Sequence, residues 1–242
     1  MRNNHYFKKT LALLALIMVG FTGFATNLVN PATDGGFESG ASFGANGWTV
    51  VNGTATNKWF VGGVPGAATG ANCAYISNDV AGAVFAYTNS SSSTVHFYRD
   101  LAVPALEASI SVSFDIKNVG ESGWDRVFVS AAPTSVTPVF NVPLSTSLVI
   151  PGATLHYTDA AANGVYHASG NIFLPGSYAG STVRLIISWE NDGSLGGPTG
   201  AAIDNINVNS ALPSTITSKT VGGLYTDPNT WVGGVVRDLL IT

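Results

Sequence analysis

The stretch Ser109-Ile-Ser-Val-Ser-Phe-Asp-Ile-Lys117 decides the fold class. Ile110, Val112, Phe114 and Ile116 alternate with Ser111, Ser113, Asp115 and Lys117, the period of two that sorts side chains onto opposite faces of a strand. Such a strand buries one face and wets the other. Val183, Leu185, Ile187 and Trp189 repeat the pattern. So do Val95, Phe97, Arg99 and Leu101, where a cation on the apolar side predicts a place near a rim. Shorter β-branched and aromatic runs at 48–51, 59–61, 73–77, 126–130, 166–174 and 203–208 are separated by Gly, Asn, Asp, Ser and Pro. Roughly ten short strands without an intervening helix predict an all-β chain: two antiparallel sheets packed face to face. The polar run 89–93 reads as a hairpin connection. The segment 131–143, with Pro133, Pro138 and Pro143, reads as a loop that no central strand can occupy.

Composition agrees with this pattern. Charged residues are 10% of the 242, against the ~25% of an ordinary soluble protein, and there are 28 glycines. Helical bundles and coiled coils are disfavoured by that balance. The formal net charge is −4, and it becomes more negative once Arg2, Lys8 and Lys9 are removed with an export signal, which excludes a nucleic-acid partner of the usual electrostatic kind. That signal is legible as three basic residues, an apolar run over 11–21, and Gly23-Phe24-Ala25 with small residues placed for cleavage after Ala25. The apolar run is too short to span a bilayer. The expectation is a secreted or cell-surface protein, monomeric and without a membrane span. Its parts are a signal peptide (1–25), a β-sandwich (26–210) and a linker with a short C-terminal extension (211–242). The single cysteine, Cys73, forbids an internal disulfide.

Few residues carry chemistry. Gly40-Ala-Ser42-Phe-Gly44 has the spacing of a hydrolase nucleophile elbow, but Asp34-Gly-Gly precedes it and Asn46-Gly47 follows, where the elbow needs a strand and then a helix. No strand presents the two facing carboxylates of a glycoside hydrolase. His96, His156 and His167 lack metal-pair spacing, and Cys73 has no basic neighbour to activate it. A non-enzyme is expected. Glu190-Asn191-Asp192-Gly193 is a carboxylate-rich turn able to face a cation. Of Trp48, Trp59, Trp124, Trp189 and Trp231, most are expected to fill the core; Trp124, between Gly123 and Asp125 in a turn, is the one expected at the surface as a ligand-stacking residue.

Two end segments, Asp34-Gly-Gly-Phe-Glu38-Ser-Gly40 and Ala201-Ala-Ile-Asp204-Asn-Ile206, carry a resemblance. With Phe128-Val-Ser130, 174–180, 183–189 and Asn191-Asp192-Gly193 between them in order, the chain resembles the cleaved-adhesin and MAM-type jelly-roll domains of secreted bacterial surface proteins, which are similar to several jelly-roll carbohydrate-binding modules. The resemblance implies a jelly roll whose first and last strands are joined by a structural Ca²⁺ on Glu38 and Asp204, with Asp34 as a further ligand. Hard carboxylate oxygens suit that ion. The tail around Tyr225-Thr-Asp-Pro-Asn-Thr-Trp231-Val-Gly-Gly-Val235 resembles the opening of a β-helical segment, departs from it at Arg237, and is expected to be the truncated start of a following domain. The function implied is a calcium-stabilised, non-catalytic adhesin module that attaches to a glycan or an extracellular protein. The alternatives are an accessory carbohydrate-binding domain of a secreted polysaccharide-degrading enzyme and a structural spacer in a surface filament.

Overall fold

The computed structural model describes residues 25–143, 150–160 and 164–213. The signal segment up to residue 24 and the extension over 214–242, Trp231 included, lie outside the described residues. Twelve strands are described: β1 (Ala25–Val29), β2 (Thr49–Val51), β3 (Lys58–Gly62), β4 (Cys73–Ser77), β5 (Ser93–Ala102), β6 (Ser109–Asn118), β7 (Arg126–Pro133), β8 (Thr154–Asp159), β9 (His167–Ala168), β10 (Ile172–Leu174), β11 (Thr182–Asn191) and β12 (Ala201–Ala211). Two single 3-10 turns complete them. One sheet runs β10-β6-β12-β4-β3, with β1 added to β12 and β9 to β6; the other runs β2-β5-β11-β7-β8. Every pairing is antiparallel. The chain is an all-β sandwich of the jelly-roll kind.

The alternating stretches supply the inner faces. Ile110, Val112, Phe114 and Ile116 of β6 are buried against Val183, Leu185, Ile187 and Trp189 of β11 in one core. Phe97 sits among four aromatic rings, with centroids 4.9 Å from Phe43, 5.0 Å from Trp59, 5.3 Å from Trp48 and 6.1 Å from Phe37. Truncating a buried Phe costs about 3–5 kcal/mol through lost transfer energy and the cavity left behind. Phe97→Ala would therefore remove a large part of a domain's marginal stability.

The outer faces are drier than alternation predicts. On the five-stranded sheet, Phe128, Ala132 and Ile186 are covered by Ile150 and Val136, and the Arg184 guanidinium lies 4.1 Å over the Tyr98 ring while Nε and Nη2 bond Asp100 at 2.7 and 2.9 Å. This roof explains why every residue of β11 after Thr182 is buried. On the seven-stranded sheet, Phe60, Phe85 and Tyr166 close over Cys73, Tyr75 and Ala202. Lys117 Nζ lies over both Phe85 (5.2 Å) and Tyr166 (5.7 Å).

Three sequence expectations are corrected. The run 89–93 is not a hairpin connection, because β4 belongs to one sheet and β5 to the other. The 131–143 segment begins as strand: β7 pairs with β11 as far as Pro133, the residue at which the ladder ends and a missing N–H costs nothing. The 166–174 run breaks into β9 and β10 because the Ser169 hydroxyl accepts the Phe114 N–H at 3.0 Å in place of a ladder carbonyl. The rim position of Arg99 holds. β2 covers β5 only from His96 to Tyr98, and the Arg99 guanidinium lies past that cover, over Trp48 and paired with Asp34.

Candidate binding site at the loop end

Four connections meet at one end of the sandwich: β4–β5, β6–β7, β8–β9 and β11–β12. Trp124 stands on the β6–β7 turn and is 54% exposed, a large apolar surface for a described aromatic whose companions Trp48, Trp59 and Trp189 are all buried. The turn beneath it is braced. Asp125 Oδ2 accepts the Glu121 N–H at 2.7 Å and the Tyr87 hydroxyl at 2.5 Å, the Asp125 N–H returns to the Glu121 carbonyl at 2.9 Å, and Gly123 N–H reaches Ala160 O at 3.0 Å. Burial pushes the Asp125 carboxyl above the usual carboxylate range, outweighing the Tyr87 and Glu121 hydrogen bonds that pull it down. Burial and the Asp125 charge likewise push the Tyr87 phenol up.

The β11–β12 connection locks against the same turn. Ser194 Oγ shares its one proton between Asp192 Oδ1 at 2.9 Å and Glu121 Oε2 at 3.2 Å, while Asn89 Nδ2 donates to Gly196 O at 3.4 Å. Gly196 has φ +131°, and a Cβ there would lie 2.0 Å from the Tyr87 hydroxyl. Only glycine fits between that phenol and the loop. Leu195, 71% exposed, shares the loop. The result is an exposed indole on a hydrogen-bonded turn, to which the next loop is tied through Ser194, Glu121 and Asp192.

The two segments that carry the resemblance also meet, where the connection after β1 reaches β12. Ile206 N–H donates to Gly35 O at 2.9 Å, and a Cβ on Gly35 would lie 1.8 Å from Ile206 O, so glycine is obligatory at that approach. A bulge in β12 between Asp204 and Asn207 makes room for it. Asp204 Oδ2 accepts the N–H groups of Ala68 (2.8 Å) and Thr69 (3.0 Å), Oδ1 accepts Asn205 N–H at 2.7 Å, and Glu38 Oε1 accepts those of Ala71 and Asn72, both at 2.8 Å. Both carboxylates thus grip one loop, 68–72. Burial pushes the Asp204 carboxyl up against the pull of its three N–H partners.

Asp34 does not join them. Its carboxylate is paired with Arg99 and accepts the Asn30 N–H at 2.9 Å; burial alone would raise its pKa, and these contacts lower it instead. As placed, the three carboxylates serve hydrogen-bond donors: no three metal-ligating side chains converge among the described residues, and Glu38 Oε1 and both Asp204 oxygens accept backbone N–H groups.

The remaining candidates have structural roles. Ser42 Oγ accepts Ala45 N–H beside a 3-10 turn. Cys73 is fully buried, its thiol directed at Gly62 O (3.5 Å), and burial pushes its pKa up to about 12. His96 bonds Ser188 Oγ at 2.8 Å and Val139 O at 3.1 Å, and His167 Nε2 lies 2.9 Å from Asp159. In the 190–193 turn the two carboxylates diverge, Glu190 to Arg126 and Asp192 to Ser194. Tyr87 and Ser194 were not singled out in the sequence: neither carries a local motif, and their partners come from other loops.

No protein-family model matches the chain, and no curated protein matches it in sequence. Among solved structures it is similar to the CBM22-1 xylan-binding domain of Xyn10C from Paenibacillus barcinonensis, with 12% identity, 80% of this chain and 99% of that one covered, and a TM-score of 0.47. It is similar to a CBM61 module solved in complex with β-1,4-galactotriose (15% identity, 74% and 97% covered, TM-score 0.40). It is also similar to the enzymatically active domain of a tailspike protein of bacteriophage CBA120 (13% identity, TM-score 0.42), where 75% of this chain spans 21% of that one. These likenesses concern the sandwich fold.

Proposed function

We propose that the protein is a glycan-binding module that uses the loop end around Trp124, attaches in the manner of an adhesin at the cell surface, and carries out no chemistry of its own. The observation that carries this reading is the exposed Trp124 indole on a turn fixed by the buried Tyr87–Asp125 hydrogen bond. A flat ring held away from the core stacks on the apolar face of a sugar ring, and Glu121, Asp192 and Ser194 stand beside it to bond hydroxyls. Because the mount is rigid in the free protein, little ordering entropy opposes binding. The surface location rests on the export signal in the sequence; the calcium stabilisation that the resemblance implies is no part of this reading, and the melting experiment below tests it separately. The functional test is a panel of immobilised neutral and acidic polysaccharides probed with the purified protein and with Trp124→Ala. Retention by at least one polysaccharide that Trp124→Ala abolishes is expected; retention by none, or identical retention of the two proteins, overturns the reading.

A further inference from the structure

A cavity of about 230 Å³ lies beside the loop end, between the start of β5 and the end of β11. Three successive hydroxyl residues, Ser92, Ser93 and Thr94, form one wall, and Glu190, Asn191 and Asp192 form another. Its floor is fixed by a fully buried amide: Asn57 Nδ2 donates to Ser93 Oγ at 3.0 Å and Asn191 Oδ1 at 3.3 Å, its Oδ1 accepts Thr88 N–H at 2.7 Å, and Asn191 Nδ2 donates to Ser91 O at 3.1 Å. A network of this kind rigidifies the groups it joins. Asn141 closes the side, pairing with Thr94 through an N–H to carbonyl bond of 2.8 Å. The cavity is therefore built before any ligand arrives.

Its chemistry is narrow. Ser93, Thr94 and Asn191 are buried, with Ser93 and Asn191 bonded within the network, so the exposed Ser92 hydroxyl, Asn141 amide and Asp192 carboxylate are the polar groups left to bond sugar hydroxyls. Among the described residues no aromatic ring lines the cavity. The volume is below the ~300 Å³ at which pockets for larger ligands begin, which leaves room for one ring and not for a chain passing through. The Glu190 charge is offset by Arg126 at 3.4 Å, whereas Asp192 is exposed at the mouth with its carboxylate held by the Ser194 N–H and hydroxyl, both at 2.9 Å. That leaves a negative rim, which repels acidic sugars. The same Ser194 hydroxyl reaches Glu121 on the Trp124 turn, so the cavity and the indole flank one loop.

We infer that this cavity is a second subsite that takes the single uncharged terminal sugar of a glycan, while Trp124 stacks on the residues behind it. The inference rests on the glycan-binding reading for its connection to Trp124, and the test separates the two. The ¹⁵N-labelled full chain is titrated with D-galactose, D-glucose, D-mannose, D-xylose, L-arabinose and L-fucose, with D-galacturonate, and with neutral oligosaccharides. At least one neutral monosaccharide should shift the amide signals of Ser92, Ser93, Asn191 and Asp192, galacturonate should not, and Ser92→Gln, which places a longer side chain at the exposed mouth, should weaken that binding at least tenfold with an unchanged melting curve. Silence of these amides toward all six neutral sugars overturns the subsite, as does an equal response to galacturonate. If the Trp124 indole signal moves with an oligosaccharide while the cavity amides stay still, the indole reading stands and the cavity falls. If the cavity amides move and Trp124 never does, the reverse holds.

Discussion

Tyr87 donates its hydroxyl to Asp125 Oδ2 at 2.5 Å beneath the turn that exposes Trp124, joining the β4–β5 and β6–β7 connections through one buried bond. Removing the hydroxyl leaves the buried Asp125 Oδ2 with the Glu121 N–H alone, and Oδ1 has no partner among the described residues. An unsatisfied buried acceptor costs about 1–3 kcal/mol. Tyr87→Phe is expected to lower stability by that amount in urea denaturation. It should also weaken glycan binding, because the mount loosens.

The loop 68–72 hangs on two carboxylates of unequal worth. Asp204 is fully buried with three N–H partners, and Glu38 is exposed with two. Water replaces the lost acceptor at Glu38 and not at Asp204. Asp204→Ala should cost more than about 2 kcal/mol, and Glu38→Ala about 1 kcal/mol or less. Since these oxygens are already bonded to N–H groups, melting curves in excess calcium and in excess chelator are expected to coincide. A rise in Tm with calcium would show that the folded chain binds the ion.

Acid should destabilise the fold through His96. Burial between Ser188 and the Val139 carbonyl holds its pKa down at about 4, against 6.5 for an ordinary histidine. Above pH 6.5 the ring is neutral in both folded and unfolded chains; below it, the unfolded chain takes a proton that the folded one refuses until about pH 4. Stability is therefore full above pH 6.5 and falls across that window, by about 3 kcal/mol from this group. Urea midpoints measured at successive pH values for the protein and for His96→Gln check it: the variant should show the shallower decline.

Cys73 should behave as core. Its thiol is buried and its pKa is pushed up to about 12, so almost no thiolate exists at neutral pH. A thiol-reactive dye should label the protein only in denaturant. Rapid labelling under native conditions would place Cys73 at a surface.

The inner faces were legible because Ser109 to Lys117 and the matching run from Val183 to Trp189 alternate without interruption. β8 was not: Leu155 and Tyr157 alternate with polar residues over only a short run, and a bulge opposite Val129 and Ser130 sends Tyr157 to the inner core and Leu155 to the outer roof. The roofs on the outer faces escaped the sequence for a related reason: Val136 and Ile150 cover Ile186 from a segment that looks like a proline-rich loop. Trp124 was read as exposed from its turn, and it is. The polar run at 89–93 and the acidic turn at 190–193 were each visible, but the β5–β11 ladder that sets Ser93 opposite Asn191, with the Asn57 and Asn191 amides bonded across it, brings them to one cavity. Side-chain networks that bridge loops leave no local pattern to read.

Isothermal titration of the protein and of Trp124→Ala with the neutral oligosaccharide retained most strongly on the polysaccharide panel bears most directly on the proposed role. The expected result is an affinity at least tenfold weaker for Trp124→Ala, with the melting curve unchanged, because the truncated indole is a surface anchor and not part of the core. Equal affinities for the two proteins would contradict it.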